Sequence, residues 1–176
     1  MAAGVGTLNV SSNQLKMAVL KACRGIGVPV AQAQEVAAAI AASPLALNKL
    51  LAHLAKPISS ASFDFSFGVD VQNAHLLKDF SVCADAVAQG ALPVILRGVA
   101  KCDVTQALAQ YHGVSAEMDN GNLHVAPHQY PAQRSGRCKV DPDDWRRLGV
   151  YAALTYVPET DASRLAGAGA GLTDND

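Results

Sequence analysis

At 176 residues, half of them hydrophobic and 16% charged, the chain is long and apolar enough for one packed domain, which excludes a disordered polymer. Lys and Arg number 14 against 15 Asp and Glu, a net charge of −1, so the basic footprint of a nucleic-acid binder is missing. Much of the apolar content is alanine, which loses little entropy in a helix and lets helices pack closely.

In chain order, Ser11 or Ser12 caps a first helix whose Leu15, Ala18, Val19 and Ala22 share one face. The helix stops at Arg24-Gly25-Ile26-Gly27. Pro29 fits the start of a second helix lined by Val30, Ala33, Ala37 and Ile40. Ser43-Pro44 breaks it and begins a third, with a Leu47, Leu50, Leu51 and Leu54 stripe. Phe63-Asp64-Phe65-Ser66-Phe67 alternates aromatic and polar residues, the pattern of a strand with one buried face. Leu76, Phe80, Ala84 and Val87 recur at helical spacing, and Pro93–Leu96 reads as a short buried strand. Asp103 precedes a helix carrying Val104, Leu108 and Tyr111 that ends at Gly113. Asn120-Gly121 between Val114–Met118 and Asn122–Val125 marks a tight hairpin. Pro127–Cys138 reads as a loop.

The strongest helix start follows it. Asp141 caps, Pro142 fits the first turn, and Asp143 and Asp144 complement the positive end of the dipole. Trp145, Leu148, Ala152 and Tyr156 share the helix's apolar face, and Glu159–Ala166 makes one more short helix after Pro158. The element count gives an α+β fold: a helix-dominated single domain over residues 1–166 with a small, mostly antiparallel sheet, and a Gly-rich C-terminal arm over 167–176.

Localisation and chemistry are read from the same residues. The longest apolar run, near Val28–Ala42, contains Gln32, Gln34 and Glu35 and falls short of the roughly 20 apolar residues a membrane span needs. Met1–Val10 lacks the positive region of a signal peptide, so a cytoplasmic protein is expected. Cys23, Cys83, Cys102 and Cys138 are scattered without a C-x-x-C pair and read as small buried hydrophobes. His53, His75 and His112 read as surface or satisfied core histidines. No cofactor and no metal site is expected, because His124 and His128, although four apart, flank Pro127 and do not share a helix.

The candidate catalytic residues are therefore only Cys83, His124 and His128. Arg164, Gly167, Gly169, Gly171, Thr173 and Asp174 form the candidate ligand or interface set, since Gly-rich amides can cup an anion or let the arm lie against a packed surface. Two function classes follow. One is a non-catalytic binding or assembly domain, a homo-oligomer or the binder of a protein partner, with a docked C-terminal arm. The other is a small-molecule enzyme or ligand-binding protein with a pocket between helices and sheet. Nucleic acid and membrane are not expected partners.

The run Tyr156-Val157-Pro158-Glu159-Thr160-Asp161-Ala162-Ser163-Arg164-Leu165-Ala166-Gly167-Ala168-Gly169-Ala170-Gly171-Leu172-Thr173-Asp174-Asn175-Asp176 resembles the C-terminus of an uncharacterised bacterial family of small alanine-rich proteins carrying a domain of unknown function. Ala22-Cys23-Arg24-Gly25-Ile26-Gly27 is similar to that family's opening. The resemblance implies no activity. Gly25-x-Gly27-Val28-Pro29 is also similar to the N-terminal region of the malate/L-lactate dehydrogenase family that lacks a Rossmann fold. Ser43–Leu47 stands where that family carries its Arg-x-x-Ser-His-Gly type motif, so dehydrogenase activity is not implied.

Overall fold

Local chemistry starts the first helix and the last one among the described residues where expected. In the computed structural model, which describes residues 6–130 and 136–155, Ser11 Oγ accepts the Gln14 N–H at 3.1 Å and Gln14 Oε1 accepts the Ser11 N–H at 2.8 Å. This reciprocal box satisfies two otherwise open donors and starts α1 (Ser12–Gly25). Asp141 Oδ1 accepts from Asp143 N–H at 2.8 Å and Asp144 N–H at 3.2 Å, starting α6 (Pro142–Ala153). Between them lie α2 (Val30–Ala42), a 3-10 turn at Pro44–Ala46, α3 (Leu47–Leu54), α4 (Leu76–Ala88) and α5 (Asp103–His112).

The expected helix-dominated α+β domain is what forms, with two small, mostly antiparallel sheets. β1 (Leu8–Ser11) pairs with β7 (Arg137–Val140). The larger sheet runs β2-β3-β4-β6-β5, built from β2 (Ser62–Asp64), β3 (Val69–Gln72), β4 (Val94–Leu96), β5 (Val114–Asp119) and β6 (Asn122–Pro127). Its one parallel pair, β3 and β4, is joined through α4. Val69, Val71, Val94, Leu96, Leu123 and Val125 are buried, while Asp70, Ile95 and His124 alternate onto the other, partly open face. α4 and α5 pack on the sheet, α2 packs on both, and α1 lies against α2 and α6. Phe80, Leu15, Ile40, Leu50, Leu51, Leu108 and Leu148 are fully buried in the resulting core.

Three local expectations change. The Phe63–Phe67 strand ends at Asp64, because Asp64 Oδ1 accepts the Ser66 N–H at 2.9 Å and turns the chain. Phe65 and Phe67 are consequently 69% and 92% exposed instead of lining a buried face. β3 and β1 were not expected, and β7 takes the end of the Pro127–Cys138 loop, since four-residue segments carry too little alternation to stand out. The C-terminal helix over Glu159–Ala166 and the arm over 167–176 lie outside the described residues.

Candidate functional site

The carboxyl ends of β3 and β4 lie side by side, and each strand feeds a helix. After β3 the chain passes Asn73 and Ala74 to His75, the N-cap of α4. After β4 it passes Arg97, Gly98 and Val99 to Cys102, the N-cap of α5. The pairing continues past the strands: Arg97 N–H donates to Val71 O at 2.9 Å and Ala74 N–H to Arg97 O at 3.2 Å. Gly98, at φ +80°, turns the chain away from the sheet. The two loops and the end of α3 enclose a cleft of about 390 Å³, lined among others by His53, Lys56, Ser59, His75, Leu76, Val99 and Cys102. A crevice outside the carboxyl ends of parallel strands is where open α/β sheets hold ligands.

Cys102 and His53 meet in that cleft. His53 sits in the last turn of α3, 49 residues away in sequence, with its Nε2 3.4 Å from Cys102 Sγ. Thr105 holds the thiol from the other side. Its Oγ1 lies 3.5 Å from Sγ, accepts the Cys102 N–H at 3.3 Å and donates to Ala100 O at 3.2 Å. The thiol thereby takes the place of a serine oxygen in a capping box at the start of α5. Burial pushes the Cys102 thiol up, but hydrogen bonds from His53 and from the Thr105 backbone N–H, with the His53 charge, outweigh it and bring it down to about 6. The thiolate is thereby favoured at neutral pH.

His75 forms the opposite wall. It is 5% exposed, and neither ring nitrogen has a hydrogen-bond partner. Burial, then the nearby His53 charge, holds its pKa below the ordinary value and keeps the ring neutral. Its backbone N–H donates to Asp79 Oδ2 at 2.7 Å, which pins the start of α4. Lys78 Nζ donates to Ser59 O at 2.9 Å and lies 3.7 Å from Asp79 Oδ1, tying the loop after α3 to the helix.

The residues singled out from sequence lie elsewhere. Cys83 is buried on α4, and burial pushes its thiol up to about 12, so it stays protonated in the core. Burial likewise pushes Cys23 up to about 12 and raises Cys138, which fits the reading of these three as small hydrophobes. Cys102 departs from that reading. His124 lies on β6 with Nε2 3.9 Å from Asp119 Oδ2, and His128, just past β6, packs its ring 4.4 Å from that of Tyr130. None of these three candidates lines the cleft. Arg164, Gly167, Gly169, Gly171, Thr173 and Asp174 lie outside the described residues. Among the described residues no three His, Cys, Asp or Glu side chains gather as a metal site.

Sequence reasoning missed Cys102 and His53 because the pairing is tertiary, and the spacing of 49 residues carries no local motif. One available signal was Cys102-Asp103-Val104-Thr105, the S/T-x-x-E/Q capping pattern with cysteine and threonine as its ends. No protein-family model, curated protein or solved structure matches the chain.

Proposed function

We propose that this protein is a thiol-dependent enzyme acting on a small molecule, with Cys102 as nucleophile and His53 as its proton partner. The observation that carries the reading is the Cys102–His53 contact inside a cleft at the carboxyl ends of the parallel strands. The chemistry it supports is acyl transfer or hydrolysis. Cys102 Sγ attacks a carbonyl carbon, forming a C–S bond, and the bond from that carbon to the leaving atom breaks. The leaving group takes the proton from the His53 imidazolium. Water or another acceptor then attacks the thioester carbon and gives its proton to His53, and Sγ leaves as thiolate. The positive end of α5, directly behind Cys102, favours both the thiolate and the developing oxyanion.

A cytoplasmic setting belongs to this reading, since all four cysteines are free and the proposed nucleophile works only while reduced. A bacterial origin rests on the family resemblance of residues 156–176. Self-assembly into a homo-oligomer is the second reading. It is favoured by the exposed Phe65, Phe67 and Leu92, apolar side chains of the kind that interfaces cover.

The test is mass-spectrometric. Incubation with p-nitrophenyl acetate should place an acetyl group on Cys102, with release of nitrophenolate. Cys102→Ala should abolish that adduct, and His53→Gln should slow its formation at least about tenfold, a typical loss for a missing acid–base partner. Acetylation spread over other nucleophiles, with Cys102 unmodified, would overturn the proposal.

A further inference from the structure

The Cys102 cleft holds more than a nucleophile. Two helices, α4 with 13 residues and α5 with 10, begin at its wall, so the positive ends of both dipoles face one small volume. Lys56 lines the same cleft, is exposed, and has no ion-pair partner among the described residues. Lys78, in the first turn of α4, is already engaged by Ser59 and Asp79. The Asp79 carboxylate is 99% buried and turned onto the His75 N–H. His75, which lines the cleft, supplies the independent observation: it is 5% exposed, and both ring nitrogens are buried without a hydrogen-bond partner. Leaving such a group without a partner is costly, and a bound acceptor removes that cost.

We infer that the cleft takes a small acyl compound carrying an anionic group, a carboxylate or a phosphate, seated between Lys56, His75 and the N-terminus of α4. The inference rests on Cys102 being the nucleophile of the same cleft. Lys56 supplies the charge, the neutral His75 ring turns one N–H onto an anionic oxygen, and the Leu76 and Leu77 amides, which the α4 start leaves open, complete the seat. The acyl carbon then lies toward Cys102, across a cleft whose 390 Å³ suits a compact substrate.

Paired alkylation of the full-length protein at pH 7 tests this, with iodoacetate as the anionic probe and iodoacetamide as its neutral counterpart. In both reactions Sγ forms a bond to the methylene carbon and iodide leaves with the C–I electrons. The iodoacetate-to-iodoacetamide rate ratio at Cys102 should exceed that of glutathione by about tenfold or more, the scale on which a charged cleft concentrates counter-ions. Lys56→Met, at an exposed position, and His75→Gln should each bring the ratio toward that of glutathione while iodoacetamide labelling stays fast. Added inorganic phosphate or acetate should slow iodoacetate labelling, and the more effective of the two identifies the group recognised.

A glutathione-like ratio with fast iodoacetamide labelling would overturn the anion seat and leave the nucleophile standing. Slow labelling by both reagents would overturn the nucleophile. The seat is then read alone, by melting temperature against phosphate and acetate. A saturable rise lost in Lys56→Met supports it, and no rise for either anion overturns it.

Discussion

Cys102 shows how much of a side chain's chemistry its neighbours set. Cys23 and Cys83 sit among apolar groups and are held near 12, whereas Cys102 meets His53, Thr105 and a helix N-terminus and is held near 6. The iodoacetamide labelling rate of Cys102 should therefore reach half its plateau near pH 6 and change little above pH 7. His53→Gln should move that midpoint toward the ordinary cysteine value of about 8.5. An unchanged midpoint in the variant would show that His53 does not activate the thiol.

His75 and His112 act on stability in the opposite direction from a paired base. Burial is the first cause that holds both below 6.5, and for His112 it outweighs the upward pull of Glu35, whose Oε2 is 3.7 Å from His112 Nε2. On unfolding, each regains the higher affinity for protons, so the unfolded chain binds more protons as the medium is acidified. Their stabilisation is complete above pH 6.5 and is lost as pH falls through the folded values. The melting temperature should drop between about pH 7 and pH 5, and His112→Gln should flatten the drop. Parallel curves for the two proteins would remove His112 from the account.

Among the elements, α1 is placed by its ends. Ser11→Ala deletes half of the capping box and should lower stability by about 1 kcal/mol in a denaturant titration. At the other end, Gly25 lies where α1 crosses α6, and a β-carbon there would run into the Tyr151 carbonyl oxygen. Gly25→Ala should cost about 1–3 kcal/mol by overpacking. Gly149, on α6 itself, has open space around it, so Gly149→Ala should raise stability by up to about 1 kcal/mol through helix propensity. Equal effects of the two alanines would contradict the close α1–α6 crossing. The helices were readable because apolar residues at 3.6-residue spacing, with a capping residue before them, are local signals. β1 and β7 were not, since each has four residues and pairs with a strand far away in the chain, and the four residues of β3 carry too little alternation to stand out.

For the whole molecule, the assembly reading makes its own prediction about a segment that lies outside the described residues. If Gly167–Asp176 is a docking arm, a chain ending at Ala166 should show a smaller native mass by light scattering than the full-length protein. Equal masses would leave Phe65 and Phe67 as the surface to test next.

By itself the sequence determined the class of molecule: an α+β domain with helices dominant, its alanine-rich helices, the two strongest helix starts and the Asn120-Gly121 hairpin. Those features follow from short-range chemistry, in which each residue's neighbours along the chain suffice. Only the tertiary structure decided which cysteine meets a histidine. His75 from the start of α4 and Cys102 from the start of α5 line one cleft because two parallel strands end side by side, and His53 reaches the same cleft from the end of α3. A thiol's acidity depends on charges and dipoles within a few ångströms, whatever their distance in sequence.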